Sequence, residues 1–343
     1  MLSWLPLLVV GASQAFGATI GCSNSVGLLS GDHSLTLQDP DLGTVQRRYV
    51  LEVPEMPEDG WPSEGVPLLL GFHGQGGNPD YWPPRTYLSE MVQAGWVAAY
   101  PAGLNENGDK TWNCGTGGDN STCIVGTTGT RCMDSCRKLG QCGRCNWATC
   151  YDDVAFVKRL IFELEQSLCL NPSRYFVVGE SNGGMFTHYL IQRLPGTFAA
   201  AVPIYGSPLL GYLVGGSYEL LTQPGKLRTS LLQLHDRSDL VIPWEGAASS
   251  DGWLYESRAR SVGAWAAVHG CGLSPVEWSA PFTGGPRNLK CYEHPNCNPG
   301  RRVVFCAYDG RHGEWPDQRR TMELLRAFFE SVSGVQDLRV IYQ

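Results

Sequence analysis

A serine hydroxyl attacks at neutral pH only when a base takes its proton and an acid orients that base. One segment of the chain is built to present such a serine. Gly179-Glu180-Ser181-Asn182-Gly183-Gly184 follows directly on the apolar run Tyr175-Phe176-Val177-Val178 and opens an amphipathic stretch. Glycines two residues before and two after Ser181 permit a sharp strand-to-helix turn. Such a turn pushes the hydroxyl out of the sheet and aims a helix N-terminus at developing negative charge. A lone G-x-S-x-G arises by chance in many chains, so the flanking strand and helix patterns carry the weight here.

Partners for Ser181 follow in the chain order Ser, Asp, His. His312, in Asp309-Gly310-Arg311-His312-Gly313, lies just past the last strand-like run and is assigned as the base. Of the other histidines, His73 shapes the Gly-rich turn His73-Gly74-Gln75-Gly76-Gly77, His235 closes the loop of the acid, and His188 packs or lines a pocket; His33, His269 and His294 have surface or structural readings. The acid lies in Leu234-His235-Asp236-Arg237-Ser238-Asp239-Leu240-Val241-Ile242-Pro243. Asp239 is preferred, because the apolar residues after it would cover a buried carboxylate, whereas Asp236 adjoins Arg237; Asp236 stays open as the alternative. Backbone N–H groups of Gln75 and Asn182 are assigned to an oxyanion hole, where each donor is typically worth ~3 to 4 kcal/mol in the transition state. Tryptophans 82, 112, 147 and 315, with Tyr81, offer flat apolar walls for an acyl group or polymer chain or else plug the core. Of these, Trp82, Trp112 and Trp315 are assigned with His73 to the substrate pocket.

Positioning these residues takes alternating strands and helices. Arg47 to Val53, Pro67 to Phe72, Gly95 to Tyr100, Tyr175 to Val178, Ala199 to Ile204, Leu231 to Leu234 and Arg302 to Ala307 read as strands. Helices are expected over Asp153 to Leu168, from the serine to about Arg193, over Ser261 to His269, and at the end, where Met322, Leu325, Phe328, Phe329 and Val332 form an apolar stripe. Asp152 and Asp153 serve as cap and dipole partners of their helix. The pattern predicts an α/β fold with a mostly parallel central sheet covered by helices on both faces.

Two insertions interrupt the rhythm. Residues 114–150 hold seven cysteines (Cys114, Cys123, Cys132, Cys136, Cys142, Cys145, Cys150) with almost no hydrophobic periodicity, so covalent links must hold the segment. The second, Pro275 to Pro299, is Pro/Gly-rich and carries Cys291 and Cys297. Both are expected as surface loops at or near the sheet edge.

Thirteen cysteines in 343 residues point to an oxidising compartment and disulfides. An odd count leaves one thiol over or paired to another chain, and Cys306, in the apolar run Val303-Val304-Phe305-Cys306, is the candidate. Cys142-Gly143-Arg144-Cys145 has zinc-ligand spacing, but disulfides are the better reading in an exported chain. Residues 1–18 read as a secretory signal, with the short apolar run Leu2 to Val10 before small residues ending at Ala15 to Ala18. That leaves residues 19–343 as one catalytic domain, with Asn120-Ser121-Thr122 as a glycosylation sequon on an exposed loop. A net charge of −7 and no Lys/Arg cluster argue against nucleic-acid binding, and no membrane span or internal repeat is visible.

The motifs together resemble the secreted feruloyl esterase and polyhydroxybutyrate depolymerase family. They are Arg48-Tyr49 with Val53-Pro54, His73-Gly74, Tyr100-Pro101, Trp112-Asn113, Asp152-Asp153-Val154-Ala155-Phe156-Val157, Ser181-Asn182-Gly183-Gly184-Met185, Asp239 with Pro243, and Trp265 leading to Gly270-Cys271. The resemblance spans roughly residues 45 to 330. It implies an α/β-hydrolase fold and a triad of Ser181, Asp239 and His312, acting without a cofactor on carboxylic esters of plant cell-wall polysaccharide or of polyester. The chain departs from the family twice. His312-Gly313-Glu314-Trp315-Pro316 has one residue more between His and Trp than is usual, so Trp315 is placed differently, and the seven-cysteine insertion replaces a short connection and borders the mouth of the site. The competing readings are a lipase or peptidase of the same fold and a non-catalytic secreted glycan-binding protein.

Overall fold

The structure, a computed structural model, describes residues 18–23, 27–80, 87–115, 122–127, 131–143, 145–213 and 227–332. The signal segment but for its last residue, Tyr81, Trp82, and Asn120 and Ser121 of the sequon lie outside these. In chain order the elements begin with β1 (Gly31–Asp39), β2 (Gly43–Glu52), β3 (Val66–Phe72), α1 (Ser89–Gln93), β4 (Val97–Pro101), β5 (Leu104–Glu106), β6 (Asp109–Thr111), α2 (Asp134–Lys138), α3 (Asp153–Ser167) and β7 (Leu170–Glu180). They continue with α4 (Asn182–Arg193), β8 (Ala200–Ile204), β9 (Ser230–Asp236), β10 (Ala247–Ala248), β11 (Leu254–Tyr255), α5 (Arg258–Val268), β12 (Val276–Glu277), β13 (Lys290–Glu293), β14 (Val303–Tyr308) and α6 (Gln318–Val332).

The central sheet runs β1-β2-β4-β3-β7-β8-β9-β14-β13-β12. From β4 to β14 neighbours are parallel, and the outer pairs at both edges are antiparallel. This is the mostly parallel α/β sheet that the sequence pattern predicts. Buried strands send alternate side chains to opposite faces. Leu68, Leu70, Tyr175 and Val177 pack with the stripes of α3, α4 and α5, while Leu69, Phe176 and Val178 pack with α1 and α6. Helices therefore cover both faces, and the parallel strands deliver their C-terminal ends to one rim.

Two expectations are corrected at the edges. The stretch 275–299 is not a plain loop: it supplies β12 and β13, which extend the sheet beyond β14. This places Cys291 directly opposite Cys306, and the two form a disulfide. Cys306 is therefore not the cysteine outside the disulfides; that residue is Cys114, which is buried. The other disulfides join Cys22 to Cys169, Cys123 to Cys145, Cys132 to Cys142, Cys136 to Cys150 and Cys271 to Cys297. Cys142 and Cys145, whose spacing suits zinc, are thus spent in different disulfides. Strand β1, absent from the sequence reading, is a half-exposed strand whose pairing with β2 supplies what its weak pattern does not.

Arg47 on β2 alternates with Tyr49 and Leu51 on the buried face and has only 1% of its surface exposed. Its guanidinium meets Asp153, the first residue of α3, at 2.5 Å and lies 4.1 Å from the Phe156 ring centroid. Asp152 caps the helix by accepting from Ala155 N, as expected, but Asp153 does more than serve a dipole: it also accepts from Asn113 N at 2.7 Å, fixing the entry to the cysteine-rich segment. Removing one member of such a pair strands a buried charge. Asp153→Ala is expected to lower the unfolding free energy of the oxidised protein by about 3–5 kcal/mol, measured by urea denaturation; a loss no larger than that of an exposed ion pair would contradict this account.

Candidate functional site

Ser181 occupies the turn between β7 and α4 with φ 53° and ψ −121°. This is backbone territory that an L-residue avoids, at a cost of order 1–3 kcal/mol that the surroundings must override. They do so by close packing. Ser181 N donates to Ile204 O at 3.0 Å, and its carbonyl receives Met185 N at 2.9 Å as the first turn of α4. A Cβ at Gly183 would lie 2.3 Å from Phe72 O, so only glycine lets the helix start against the end of β3. A Cβ at Gly74 would stand 3.2 Å from Ser181 Cβ, which shows how closely the His73–Gly77 turn approaches the serine.

The structure brings three predicted residues together. Ser181 Oγ lies 2.8 Å from His312 Nε2, and His312 Nδ1 lies 2.7 Å from Asp239 Oδ2. With Asp239 ionised, Nδ1 is the donor to it, and the neutral ring's Nε2 is left to accept the serine proton. Asp239 has a fully buried side chain. Burial pushes its carboxyl up, but hydrogen bonds from His235 and His312 outweigh that and hold it well below the ordinary carboxylate range. Its Oδ1 also accepts from Val241 N and Ile242 N, both at 2.8 Å, which is how the apolar residues after it close over the charge. His235 Nε2 donates to Ile242 O at 2.8 Å and stands 3.4 Å from Asp239 Oδ2, closing the acid loop as expected. Asp236 receives Ser238 N, and burial together with the charge of Asp239 pushes its carboxyl up. Of the two acids, it is Asp239 that holds the imidazole.

Gln75 and Asn182 flank the serine. Gly76 N and Gly77 N are taken up by Lys110 O and Gly74 O, whereas no acceptor among the described residues takes the Gln75 N–H. Asn182 opens α4, where backbone N–H groups have no partner within the helix. Its side chain pairs with the backbone of Trp112, accepting from N at 2.7 Å and donating to O at 3.2 Å, and Nδ2 also faces Cys114 Sγ at 3.7 Å. The Gln75 side chain donates to Asp109 Oδ2 at 2.8 Å, and the same oxygen receives Arg131 of the cysteine-rich segment at 2.7 Å.

Of the residues assigned to the pocket, the structure places His73, Trp112 and Trp315 in buried positions, the two tryptophans within the core clusters. His73 Nε2 accepts from Gly103 N at 3.0 Å, which leaves Nδ1 to donate to Gly74 O; burial lowers its pKa to about 4 and keeps it neutral. Trp112 Nε1 donates to His73 O at 2.9 Å and stacks on Phe186. Trp315 Nε1 donates to Glu180 Oε2 at 3.1 Å. Trp147 packs edge-on to Trp253, and Trp82 lies outside the described residues. His188 is buried as packing, its pKa lowered to about 3 by burial and by His235. Glu180, Tyr205, Asp109 and Arg131 were not singled out from the sequence. A carboxylate inside an otherwise apolar strand-to-helix junction was a visible signal for Glu180; the others become neighbours of the site only through the fold.

Fold and site geometry define an α/β-hydrolase. No family profile matches the chain. Among curated proteins it is 22% identical to feruloyl esterase B of Piromyces equi over 252 residues, which is 72% of this chain and 39% of that protein. It is 24% identical to feruloyl esterase C of Emericella nidulans over 278 residues, covering 79% of this chain and 77% of that one. Among solved structures, the acetyl xylan esterase from Aspergillus awamori superposes with a TM-score of 0.52 at 15% identity, covering 88% of this chain and 99% of that one, which supports the fold. The chain is similar to feruloyl esterases over most of its length, and these relatives support a carboxylic ester hydrolase.

For the triad role proposed below, Asp239→Asn is expected to leave the imidazole in the wrong tautomer and lower kcat on an ester by on the order of 10⁴, while Asp236→Asn retains most activity. The reverse ranking would make Asp236 the acid. Because folding raises the proton affinity of Asp236, its ionisation costs stability. That cost is absent below the ordinary carboxylate range and grows as pH rises through and beyond it. Asp236→Asn should therefore stabilise the protein more at pH 7 than at pH 4, read as the difference in urea midpoints; equal differences at both pH values would refute the assignment.

Proposed function

We propose that the chain is an exported serine esterase that hydrolyses carboxylic esters of plant cell-wall polysaccharide, feruloyl esters first among them, with short hydroxyalkanoate polyesters as the second substrate class. The observation that carries this reading is the hydrogen-bonded line from Ser181 Oγ through His312 to Asp239 at the rim of the parallel sheet. Ser181 attacks the ester carbonyl as His312 Nε2 takes its proton. Asp239 holds the tautomer and stabilises the charged ring, and the backbone amides of Gln75 and Asn182 receive the oxyanion. The tetrahedral intermediate collapses as His312 returns the proton to the leaving alkoxide. Water then attacks the acyl-enzyme along the same path, releasing the acid and restoring Ser181.

Six disulfides and the relatives' names support export and the choice of substrate class. Residues 1–18 as a signal and 19–343 as one catalytic domain belong to the same proposal. A fluorophosphonate probe should label the wild type and not Ser181→Ala, and the substitution should lower kcat by on the order of 10⁶. Hydrolysis of methyl ferulate, p-nitrophenyl acetate, acetylated xylan and hydroxybutyrate oligomers is then compared, with methyl ferulate expected to be the best substrate by kcat/KM. A folded wild type that neither labels nor hydrolyses any of them would instead be a binding protein on a hydrolase scaffold.

A further inference from the structure

Glu180 is a buried carboxylate that the proposed chemistry does not use, and it immediately precedes the nucleophile. Its Oε2 receives two donors, the hydroxyl of Tyr205 in a short contact and Trp315 Nε1 at 3.1 Å; the indole nitrogen also lies 3.0 Å from the Tyr205 hydroxyl. These donors come from different parts of the fold. Tyr205 follows β8, and Trp315 stands three residues past His312 on the loop after β14.

Both donors are tied to the base. The Tyr205 ring meets the His312 ring edge-on, with centroids 5.1 Å apart and planes at 68°. Tyr205 holds φ at 35°, a left-handed value that a bulky residue keeps only when its surroundings over-determine it. Its amide donates to Leu234 O at 2.7 Å, and burial, followed by the charge of Glu180, holds its phenol well above the ordinary range, so it remains a donor. Trp315 is buried, and Tyr308 Oη donates to Glu314 O at 2.8 Å, closing the loop that carries His312. The residue that lengthens the spacing between His312 and Trp315 belongs to this loop, which turns through Gly313 at φ 85° and brings the indole nitrogen to Glu180, the neighbour of Ser181 in the chain.

We infer that Glu180 is a positioning residue: through Trp315 and Tyr205 it fixes where the His312 imidazole stands relative to Ser181, and so sets the rate of proton transfer between them. This rests on the serine-esterase reading above. The simpler alternative, a carboxylate that only cements the fold, predicts lost stability with unchanged turnover per active site.

The test uses the full-length oxidised protein and p-nitrophenyl acetate, with active sites titrated by fluorophosphonate, on Glu180→Ala, Glu180→Gln, Trp315→Phe and the double variant Glu180→Gln/Trp315→Phe. A displacement of about 1 Å at a reacting group can cost on the order of 10²-fold in rate. Glu180→Ala and Trp315→Phe are thus expected to lose between about 10- and 100-fold in kcat per titrated site, with little change in KM. Glu180→Gln, whose amide oxygen still accepts from the indole, should recover part of the Ala loss, and the double variant should be no slower than the slower single one. Turnover per site within twofold of wild type in Glu180→Ala, or in Trp315→Phe if the former does not fold, would overturn the proposal. So would a change in KM alone, or losses that multiply in the double variant. Failure of the parent reading looks different, because wild type would then be inactive or Ser181→Ala active, and the positioning role would fall with it.

Discussion

Ser181 can hold its disfavoured backbone angles only because the ends of β3, β7 and β8 and the start of α4 leave no other path for the chain. Phe72 O blocks any side chain at residue 183, and Ile204 O takes the serine amide. The sheet thus does for the serine what side chains alone could not. Its parallel strands place the turn, the Asp239 loop after β9 and the His312 loop after β14 at the same end, so residues far apart in the chain meet within hydrogen-bond reach.

Around that fixed point the histidines divide by solvation. His73 and His188 are buried and kept neutral, one of them as an acceptor for a backbone amide. His312 keeps part of its ring exposed while hydrogen bonding to an ionised partner. That setting, with a fixed negative charge on one side and access on the other, is the one that the proposed role of His312 as general base requires. Asp239 supplies the charge because four donors converge on it, whereas Asp236, with one backbone donor, is disfavoured as an anion.

How much of this was legible in the sequence depended on distance along the chain. The parallel strands and the helices on either face showed in local periodicity, and Ser181, Asp239 and His312 in the order of motifs at strand ends. The edge strands did not, because β12 and β13 are short, lie in a Pro/Gly-rich stretch and gain their structure from pairing with β14. Cys306 was misread for that reason: its apolar neighbours are local, while its partner Cys291 arrives only when β13 docks. Residue type leaves the tryptophans near the site open between pocket walls and core plugs, and no local pattern separates the two; the fold buries Trp315 and Trp112, with their indoles donating to Glu180 and His73 O.

The cysteine-rich segment illustrates the same limit and has a mechanical consequence. One end is stitched to the 249–254 turn, with Leu254 N donating to Thr122 O and Ile124 N to Gly252 O; Ser250 N in that turn donates to Leu240 O, next to Asp239. Another part reaches Asp109 through Arg131, and Asp109 holds the side chain of Gln75. Between these anchors Glu106 accepts from Ser135 N and from the hydroxyls of Ser135 and Thr149, joining the segment to the β5–β6 hairpin through a buried node. Three disulfides close loops within the segment, each worth roughly 3 kcal/mol by the loop-entropy argument for loops of about this length. The segment thus bridges the loop of Asp239 and the turn of Gln75, held by covalent closure together with the packing of Cys123, Cys145, Trp147 and Ala148 into the main core.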